Sequence, residues 1–574
     1  MLCLQLMKSL QKNHRVIFFG LWLLLGLVQA GLTELQDDEA YYWVYSRYLD
    51  WGYFDHPPMI ALLVKMGYAI FPNELGVRLF PLLLNIFSLV LIEKLTDRKN
   101  PWLFYGIALS MAVIQVTGFI AVPDIPLIFF TALFFWCYKK FIGKQNLVNT
   151  LLLGVSVALL LYSKYHAVLI VFFVTLSNLH LFKKYQLYIA GVVALLLFAP
   201  HLWWQYQHDW VSFRYHLFES NVNPYKPSFT ISYIIGQLLL PGPIAGFILL
   251  PAALLYKPNK ESASYRTEKA LRFTMVGIYA FFLLSSFRGK VEGNWTSPAL
   301  VPLIVLAHQS MIDKLKWQKW LFRLLPVTLV LVLFARVIMI EDILPVKAVR
   351  ERYHSWKDWP AIMKEKTQGL PVVFSNSYQR ASKYWFYTGQ MTYSQNIYKG
   401  RRNNYNFWPI EDSLLGKPVY LLDKYGLERF KDSLNTPIGW IGYRYDSSLA
   451  SFAKIRIGAS VRSVQPNGYD LLGEAFVPPL YEKYIEQHPN LKATVIVGVF
   501  DKQGWIKDCL TDLTLEQLVY GQFYKQGPMA AKKGTFLIGI NPQLPKGKYY
   551  LRFAIGVGDY YPTHNSEKIP LTVK

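Results

Sequence analysis

Long apolar runs alternate with short polar loops along the first 341 residues, and this alternation constrains the fold more than any other feature. An apolar run of about 20 residues crosses the hydrocarbon core of a membrane as a helix. Of the 574 residues, 53% are hydrophobic and only 17% are charged, which is unlike an ordinary soluble domain. We therefore predict a multi-pass α-helical membrane protein with about 11 spans, at residues 16–32, 76–92, 101–120, 125–138, 150–163, 165–180, 187–203, 229–255, 271–287, 294–311 and 320–341.

Basic residues concentrate in every second loop, beginning with Lys8 to Arg15 before the first run. Because cytoplasmic loops carry an excess of Lys and Arg, we place the N-terminus inside, and an odd number of spans exports the chain after about Glu341. The same placement accounts for the net charge of +23, so we expect no nucleic-acid partner. The first run could be a signal peptide, but no clear small-residue cleavage site follows it, so we expect a retained helix.

Three consecutive carboxylates, Asp37, Asp38 and Glu39, follow the first apolar run and open the sequence "DDEAYYW". Aromatic residues are dense from Tyr41 to Phe54. Amphipathic rings favour the membrane interface, so we expect a partly buried helix lying in that interface. The acids thus stand where the first predicted span meets the outer aqueous phase.

Unusual polar residues collect on the predicted outer side. In "DHPP", two prolines hold Asp55 and His56 on a rigid turn. Ionisable groups near membrane depth are costly and tend to mark function, although outer loops can also be polar for solvation alone. The outer set comprises Asp37, Asp38, Glu39, Asp50, Asp55, His56, Asp124, Lys164, His201, Asp209, Arg288, Lys290 and Glu292.

Six motifs follow one another between residues 15 and 340: "DDEAYYW", "DWGYFDHPPM", "VPDIP", "YSKYHAVL", "QHDWVSF" and "VEGNWTSP". In their order and common outer placement they resemble membrane glycosyltransferases of the GT-C superfamily, in the bacterial branch related to protein O-mannosyltransferases and lipid A aminoarabinose transferases. The resemblance implies an inverting hexosyl or pentosyl transfer from a polyprenyl phosphate-linked donor to a glycan, lipid or protein acceptor. It also implies contact with membrane lipids at the outer face of a bacterial inner membrane.

The resemblance assigns roles to the acids. Asp38 corresponds to a general base that activates the acceptor hydroxyl, an effect that contributes about 10²–10⁴ in rate. Asp37 offers a second candidate base one residue earlier, and Glu39 joins the catalytic group as a support residue. Asp124 in "VPDIP" matches the second outer acid of the family, which shapes the acceptor or sugar pocket. Its prolines leave an alternative, because an Asp beside Pro is also typical of a helix cap.

The departing lipid phosphate needs cations where negative charge develops. Lys164 in "YSKY" and Arg288 and Lys290 in "FRGKVEGNW" are the candidates for substrate binding, with Glu292 beside them. His56 stands where the aminoarabinose transferases have a lysine. For Lys164 and Arg288 the alternative is snorkelling, in which a basic side chain at a helix end only reaches lipid headgroups.

The sequence defines no certain cofactor. Asp55 could join Asp38 or His56 around a divalent metal ion, but two acids and one histidine do not define a metal site. The three cysteines show no pairing or metal-ligand spacing. There is no glycine-rich phosphate loop, which argues against an ATP-driven pump.

The composition changes to soluble alternation after the last apolar run. "SWKDWPAIMKEK" and "SYQRASKYWFYTG" are typical of helices, whereas "PVVFSN" and "KPVYLLD" are typical of strands, so we predict a small extracytoplasmic α/β domain at 342–450. The runs "KATVIVGVFDKQGWI", "GTFLIGI", "GKYYLRFAIGVG" and "IPLTVK" predict a β-sandwich at 451–574. The transmembrane domain itself then occupies 1–341, with an outer catalytic loop at 37–75.

Two other classes of protein compete with an enzyme. A lipid or polysaccharide flippase would use the outer acids as ion or headgroup contacts, but it predicts polar residues threaded through the spans to the inner side. The interpretation as a receptor with an outer sandwich domain assigns no role to Asp38, Asp124 and Lys164. The one-sided polar cluster favours an enzyme that works at one face of the membrane.

Overall fold

The computed structural model describes residues 2–219, 224–344, 346–465, 468–520 and 534–573. The chain divides into two compact units, Met1–His354 and Ser355–Lys574. The first unit is helical, and the second contains the β-sheets. The predicted α/β and sandwich regions lie together in the second unit, and their division at residue 450 stays a prediction.

The described part of the first unit consists of helices joined by short turns. Two 3₁₀ segments, Leu179–Lys183 and Gly293–Ala299, and one π-helical segment, Tyr215–Glu219, interrupt the α-helices. The α-helices are α1 Leu2–Leu32, α2 Asp37–Arg47, α3 Met59–Ile70, α4 Glu74–Leu95, α5 Pro101–Ser110, α6 Ala112–Thr117, α7 Asp124–Gly143, α8 Leu147–Ser163, α9 Ala167–Ser177, α10 Tyr185–Gln207, α11 Val211–Arg214, α12 Pro227–Leu239, α13 Ala245–Leu255, α14 Tyr265–Ser285, α15 Leu300–Met311, α16 Leu315–Ile340 and α17 Lys347–Tyr353.

Five helices in the described part of the chain are long and apolar enough to cross a membrane. They are Asn13–Leu32 within α1, and α4, α7, α10 and α16. The predicted count of about 11 spans is not confirmed, because several apolar runs form broken helices. The run at 101–120 bends at Met111, and the run at 229–255 is divided around the prolines of "PGP" at 241–243, which lack the N–H that a continuous helix requires.

The core of the first unit centres on α15. Almost every residue of this helix is buried, including Pro302 and His308, and it contacts α4, α5, α7, α13 and α14. A helix that is buried on all sides needs apolar residues around its whole circumference. The run "LVPLIVLA" at 300–307 has that composition.

Helix α2 buries more of the aromatic segment than the sequence predicts. The helix forms as predicted, but Tyr41, Trp43 and Tyr45 are at most 4% exposed, so these rings pack inside the protein. Tyr45 stacks on Tyr53 with ring centroids 3.9 Å apart. Trp51, by contrast, is 56% exposed. The loop after α2 therefore folds back over the helix, and aromatic side chains of α2 pack beneath it.

The second unit begins with an α/β sheet. Its five strands have the order β2-β1-β3-β5-β4, with β1 parallel to β2 and β3, and β5 antiparallel to β3 and β4. The predicted helix "SYQRASKYWFYTG" is confirmed as α19, and Gly389 ends it in the left-handed conformation at φ +67°. The elements are α18 Trp359–Lys366, β1 Val372–Ser375, α19 Tyr378–Thr388, β2 Thr392–Gln395, α20 Ile410–Leu414, β3 Val419–Asp423, β4 Asp432–Thr436 and β5 Gly439–Asp446.

Two further sheets lie in the described part of the second unit. One has the strand order β10-β7-β6, and the other has the order β12-β11-β8-β9 with β13 on β11. Residues of both sheets share one hydrophobic core, in which Phe536 contacts Phe553 at 5.6 Å between ring centroids. The elements are β6 Arg456–Gln465, β7 Gly468–Phe476, α21 Pro479–Gln487, β8 Ala493–Phe500, β9 Trp505–Leu510, α22 Leu515–Tyr520, β10 Thr535–Ile540, β11 Gly547–Val557, β12 Thr563–His564 and β13 Ile569–Val573.

Candidate active site

A buried ion pair joins two of the predicted site residues. The Lys164 ammonium donates to Oδ1 of Asp124 at 2.8 Å, and both residues are at most 8% exposed. Ser297 Oγ donates to the same oxygen at 2.6 Å, and Asn294 Nδ2 donates to Oδ2 at 3.0 Å. Burial of a charge is favourable only when the charge is paired and hydrogen-bonded, and this carboxylate meets both conditions.

Local chain geometry explains why these groups meet. Pro123 occupies the N-cap of α7, and Asp124 is the first helical residue, so the interpretation of Asp124 as a helix cap is wrong. Lys164 is the C-cap of α8, and its extended backbone conformation turns the chain sharply into α9. Helices α7 and α8 pack along each other, which brings the two residues together. Because Lys164 is buried and paired, snorkelling does not describe it.

Glu39 is buried beside Arg78 of α4. Its Oε1 accepts from Arg78 Nε at 2.7 Å, and its Oε2 accepts from Nη2 at 2.6 Å. Oε1 also accepts from the backbone N–H of Ala121 at 2.9 Å. This bidentate geometry is the strong form of a carboxylate–guanidinium pair. Glu39 therefore fixes the start of α2 against the turn that precedes Asp124.

Arg78 extends this junction to the end of α1. Its guanidinium donates to the carbonyl oxygens of Ala30, Thr33 and Glu34, at 2.9, 2.5 and 2.9 Å. The last carbonyls of a helix have no partner within the helix, so a buried arginine can satisfy them. One side chain thus holds the end of α1 and, through Glu39, the start of α2.

Asp37 and Asp38 are the first two residues of α2 and directly precede Glu39. Asp37 is partly exposed, and Asp38 is exposed. On a helix, residues four apart share a face, so Asp38 lies on the face of Tyr42. The ring of Tyr42 lies 5.9 Å from the ring of His56. Asp38 is therefore on the side of α2 that faces the "DHPP" turn.

His56 lies close to the buried pair. The pKa of His56 is lowered from 6.5 to about 3, mainly by burial and then by the positive charge of Lys164, while Asp55 opposes the shift. Its Nδ1 is buried and has no hydrogen-bond partner in the described part of the chain. The neighbouring Asp55 is 8% exposed, and His216 Nε2 donates to its backbone oxygen at 2.9 Å. His56 is consequently a neutral imidazole at physiological pH.

Side chains from α10 and α11 hold the loop between α2 and α3 in place. Trp204 Nε1 donates to Asp50 at 2.8 Å, and His201 Nδ1 donates to the Trp51 carbonyl at 2.8 Å. Ser212 Oγ donates to the Tyr53 carbonyl at 2.8 Å. Such contacts order a loop whose backbone groups would otherwise be unsatisfied.

The remaining predicted residues lie at the surface. Arg288 is exposed, and Lys290 pairs with Glu292 at 2.9 Å, with side-chain exposures of 62% and 54%. An exposed pair of this kind contributes little to stability. No cluster of three or more His, Cys, Asp or Glu residues suited to a metal ion occurs among the described residues. The metal suggested around Asp55 therefore has no geometric support there.

Some residues of the site escape prediction from the sequence. Arg78 lies within an apolar run. A lone arginine in such a run indicates a buried partner, so its position is the signal that points to it. Asn294 and Ser297 belong to the quoted motif "VEGNWTSP", but their bonds to Asp124 cross more than 150 residues of sequence. His166 follows Lys164 by two residues and is partly buried between Phe282 and Trp295.

Comparison with known proteins identifies relatives of this arrangement. The sequence profile of the dolichyl-phosphate-mannose-protein mannosyltransferases matches residues 55–204. A lipid A galacturonosyltransferase of Rhizobium johnstonii is 26% identical over 53% of this chain and 66% of its own length. An uncharacterized protein of Aquifex aeolicus is 33% identical over 26% of this chain and 32% of its own length. The chain thus matches less than two thirds of the length of either relative.

Solved structures show the same fold. The crystal structure of ArnT from Cupriavidus metallidurans in the apo state covers 75% of this chain and 98% of its own, with a TM-score of 0.56 and 13% identity. The structure of that protein bound to undecaprenyl phosphate gives a TM-score of 0.54, also at 13% identity, over 75% of this chain and 97% of its own. Together the similarities confirm what the motifs predict: the chain is related to GT-C membrane glycosyltransferases, and it has an ArnT-like fold.

Proposed function

We propose that this protein is an inverting glycosyltransferase that takes a sugar from a polyprenyl phosphate and transfers it to an acceptor hydroxyl at the outer face of a bacterial inner membrane. The observation that carries the proposal is the convergence of separate motifs at one place. Glu39 in the first motif binds the backbone of Ala121, three residues before Asp124, and Asp124 binds Lys164 and the "VEGNWTSP" segment. A protein whose acids served only solvation would not need this convergence.

The proposed base is Asp38. The carboxylate takes the proton of the acceptor hydroxyl as the acceptor oxygen forms a bond to the anomeric carbon of the sugar. The bond between that carbon and the phosphate oxygen breaks, and the electron pair leaves with the polyprenyl phosphate. Attack from the face opposite the phosphate inverts the anomeric centre. The exposure of Asp38 supports this role, because an incoming acceptor can reach its carboxylate.

Lys164 is the proposed cation for the departing phosphate. An ammonium group has three donors, and its bond to Asp124 uses one of them. Asp124 would hold the ammonium in a fixed position, so that its remaining donors meet the charge that develops on the phosphate. Arg288 and Lys290, which are exposed, are further proposed cations for the lipid phosphate.

The relatives support the lipid-linked donor. The Cupriavidus protein has been crystallised with undecaprenyl phosphate, and the Rhizobium relative is named as acting on lipid A. We propose an undecaprenyl-type carrier for this chain on that basis, with a glycan, a lipid or a protein as the acceptor. A flippase remains the competing class. The contacts of Asp124 favour the enzyme, because they gather the carboxylate and the ammonium at one site, whereas a flippase needs polar groups spread along a path through the membrane.

Mass spectrometry of lipids tests the proposal directly. Lipids from cells that contain the wild-type protein or Asp38→Asn would be compared, together with lipids that copurify with each protein. We expect a polyprenyl phosphate sugar to accumulate only in the variant. If no such lipid appears, and outer glycans are modified equally in both strains, the enzyme proposal fails and the flippase becomes the better explanation.

A further inference from the structure

From the aromatic and polar groups beside the Asp124–Lys164 pair, we infer that His166, Phe282 and Trp295 form a subsite that holds the ring of the transferred sugar. This ring cluster is defined by three contacts. The centroid of His166 lies 5.3 Å from that of Phe282 and 6.1 Å from that of Trp295, and the two aromatic rings lie 5.8 Å apart. The inference rests on the proposed function and adds a substrate-binding role that it leaves unassigned.

The chain connects the ring cluster directly to the buried pair. Lys164 and His166 lie two residues apart in the turn between α8 and α9, where the N–H of Ala167 donates to the carbonyl of Lys164 at 3.0 Å. Trp295 follows Asn294, which binds Asp124. His166 and Trp295 therefore each lie within two residues of a residue of the candidate active site.

An unsatisfied polar atom supports the assignment of a ligand to the cluster. The Nδ1 atom of His166 is buried and has no hydrogen-bond partner among the described residues. A buried polar atom without a partner is unfavourable, and native proteins seldom retain one without a reason. A neutral imidazole can donate to a hydroxyl group or accept from one.

A second buried polar atom adjoins the same segment. Gln237 of α12 is 5% exposed, and its side-chain oxygen accepts from Thr296, the residue after Trp295. Its amide nitrogen is buried and has no partner in the described part of the chain. Two unsatisfied groups therefore flank the segment that carries Trp295.

The chemistry of the cluster suits a sugar. Binding sites for small molecules combine aromatic walls with a few neutral polar groups that fix orientation. A sugar ring has an apolar C–H face for Trp295 and hydroxyl groups for His166. In the donor, this ring is bonded directly to the phosphate that Lys164 is proposed to meet. The position next to Lys164 therefore suits the donor sugar.

Native mass spectrometry of the purified full-length protein tests this subsite. The probes are undecaprenyl phosphate alone and a panel of undecaprenyl phosphate-linked mannose, galacturonic acid and aminoarabinose. For His166→Phe we expect unchanged binding of the sugar-free lipid and a loss of about tenfold for the sugar-bearing lipid that the wild type prefers, because one hydrogen bond to the sugar is lost. Trp295→Leu removes the aromatic wall and should show the same selectivity.

Matched variants separate this role from a structural one. His166→Asn places an amide nitrogen near the position of Nδ1 and should restore part of the affinity, whereas His166→Gln should not. His180→Phe changes an exposed histidine in the Leu179–Lys183 segment and should bind every lipid as the wild type does.

Four outcomes would overturn the inference. Equal weakening of both lipid classes would assign the cluster to the phosphate or the polyprenyl chain, and unchanged donor binding with impaired transfer would assign it to the acceptor. Normal donor binding and transfer in both ring variants would leave the cluster without a substrate role. If the wild type binds none of the lipids, the lipid-linked donor itself is wrong and the subsite fails with it. Loss of transfer in Asp38→Asn with normal lipid binding would leave both ideas intact.

Discussion

The guanidinium of Arg78 and the carboxylate of Glu39 form a bidentate ion pair in which both side chains are completely buried. The pair joins the end of α1 to the start of α2 and to the turn before α7. Asp38 lies one residue from this pair and remains exposed. The two adjacent acids therefore differ in their surroundings, since Glu39 is buried in an ion pair and Asp38 is exposed on the side of α2 that faces the "DHPP" turn.

The first prediction concerns the stability of this junction. Glu39→Gln keeps the shape of the side chain but leaves the Arg78 charge buried without its anionic partner, and we expect a loss of about 3–5 kcal/mol. Thermal unfolding of the purified protein in detergent measures the effect. As a control, Asp97→Asn breaks the more exposed pair with Lys139 and should cost at most about 1 kcal/mol. Equal melting temperatures for Glu39→Gln and the wild type would contradict a structural role for Glu39.

The second prediction concerns the coupling of Asp124 and Lys164. Lys164→Met and Asp124→Asn each leave one buried partner uncompensated, so each single variant should be strongly destabilised. The double variant removes both charges and should lose less than the sum of the two single losses, with a coupling of about 0.5–3 kcal/mol. A double-mutant cycle from denaturant or thermal unfolding gives this number. Strict additivity would show that the ion pair does not form.

The third prediction concerns the loop between α2 and α3. Trp204→Phe removes the hydrogen bond to Asp50, worth about 1 kcal/mol, and should loosen this loop. Hydrogen–deuterium exchange of peptides that cover residues 50–56 should become faster. Trp203→Phe is a matched control, because Trp203 is 61% exposed on the same helix. Unchanged exchange in Trp204→Phe would mean that the other contacts hold the loop without this one.

Sequence reasoning predicted this site well at the level of motifs and poorly at the level of pairing. It selected Asp124 and Lys164 separately, but their bond spans 40 residues and depends on how α7 packs against α8. It predicted a partly buried aromatic segment, whereas Tyr41 and Trp43 are almost completely buried. Local signals such as a proline or a terminal glycine act within a few residues. They therefore predicted correctly that α19 ends at Gly389, but they carry no information about long-range packing.

The fourth prediction concerns the pH dependence of stability. The folded protein holds His56 neutral, with its pKa lowered from 6.5 to about 3, first by burial and then by Lys164, while Asp55 and Asp124 oppose the shift and His216 adds to it. In the unfolded chain this ring takes up a proton below pH 6.5. The contribution of His56 is therefore present above pH 6.5 and is lost as the pH falls towards 3.

Melting temperatures at pH 8, 6 and 4 test this sign. His56→Gln cannot titrate, so its stability should fall less on acidification than that of the wild type. The other titratable groups are the same in both proteins, so the pH dependence should decrease without disappearing. His180→Gln, at an exposed position, should behave as the wild type does. An identical pH dependence in His56→Gln and the wild type would contradict the buried neutral state.

The most direct test of the whole account is the rate of sugar transfer by purified Asp38→Asn from an undecaprenyl phosphate sugar to its acceptor, measured by mass spectrometry beside the wild type and Asp37→Asn. We expect Asp38→Asn to melt as the wild type does, since the side chain is exposed, and to lose about 10²–10⁴ in turnover with little change in donor binding. Asp37→Asn should retain most of the activity. Wild-type turnover in Asp38→Asn would contradict the assignment of Asp38 as the general base.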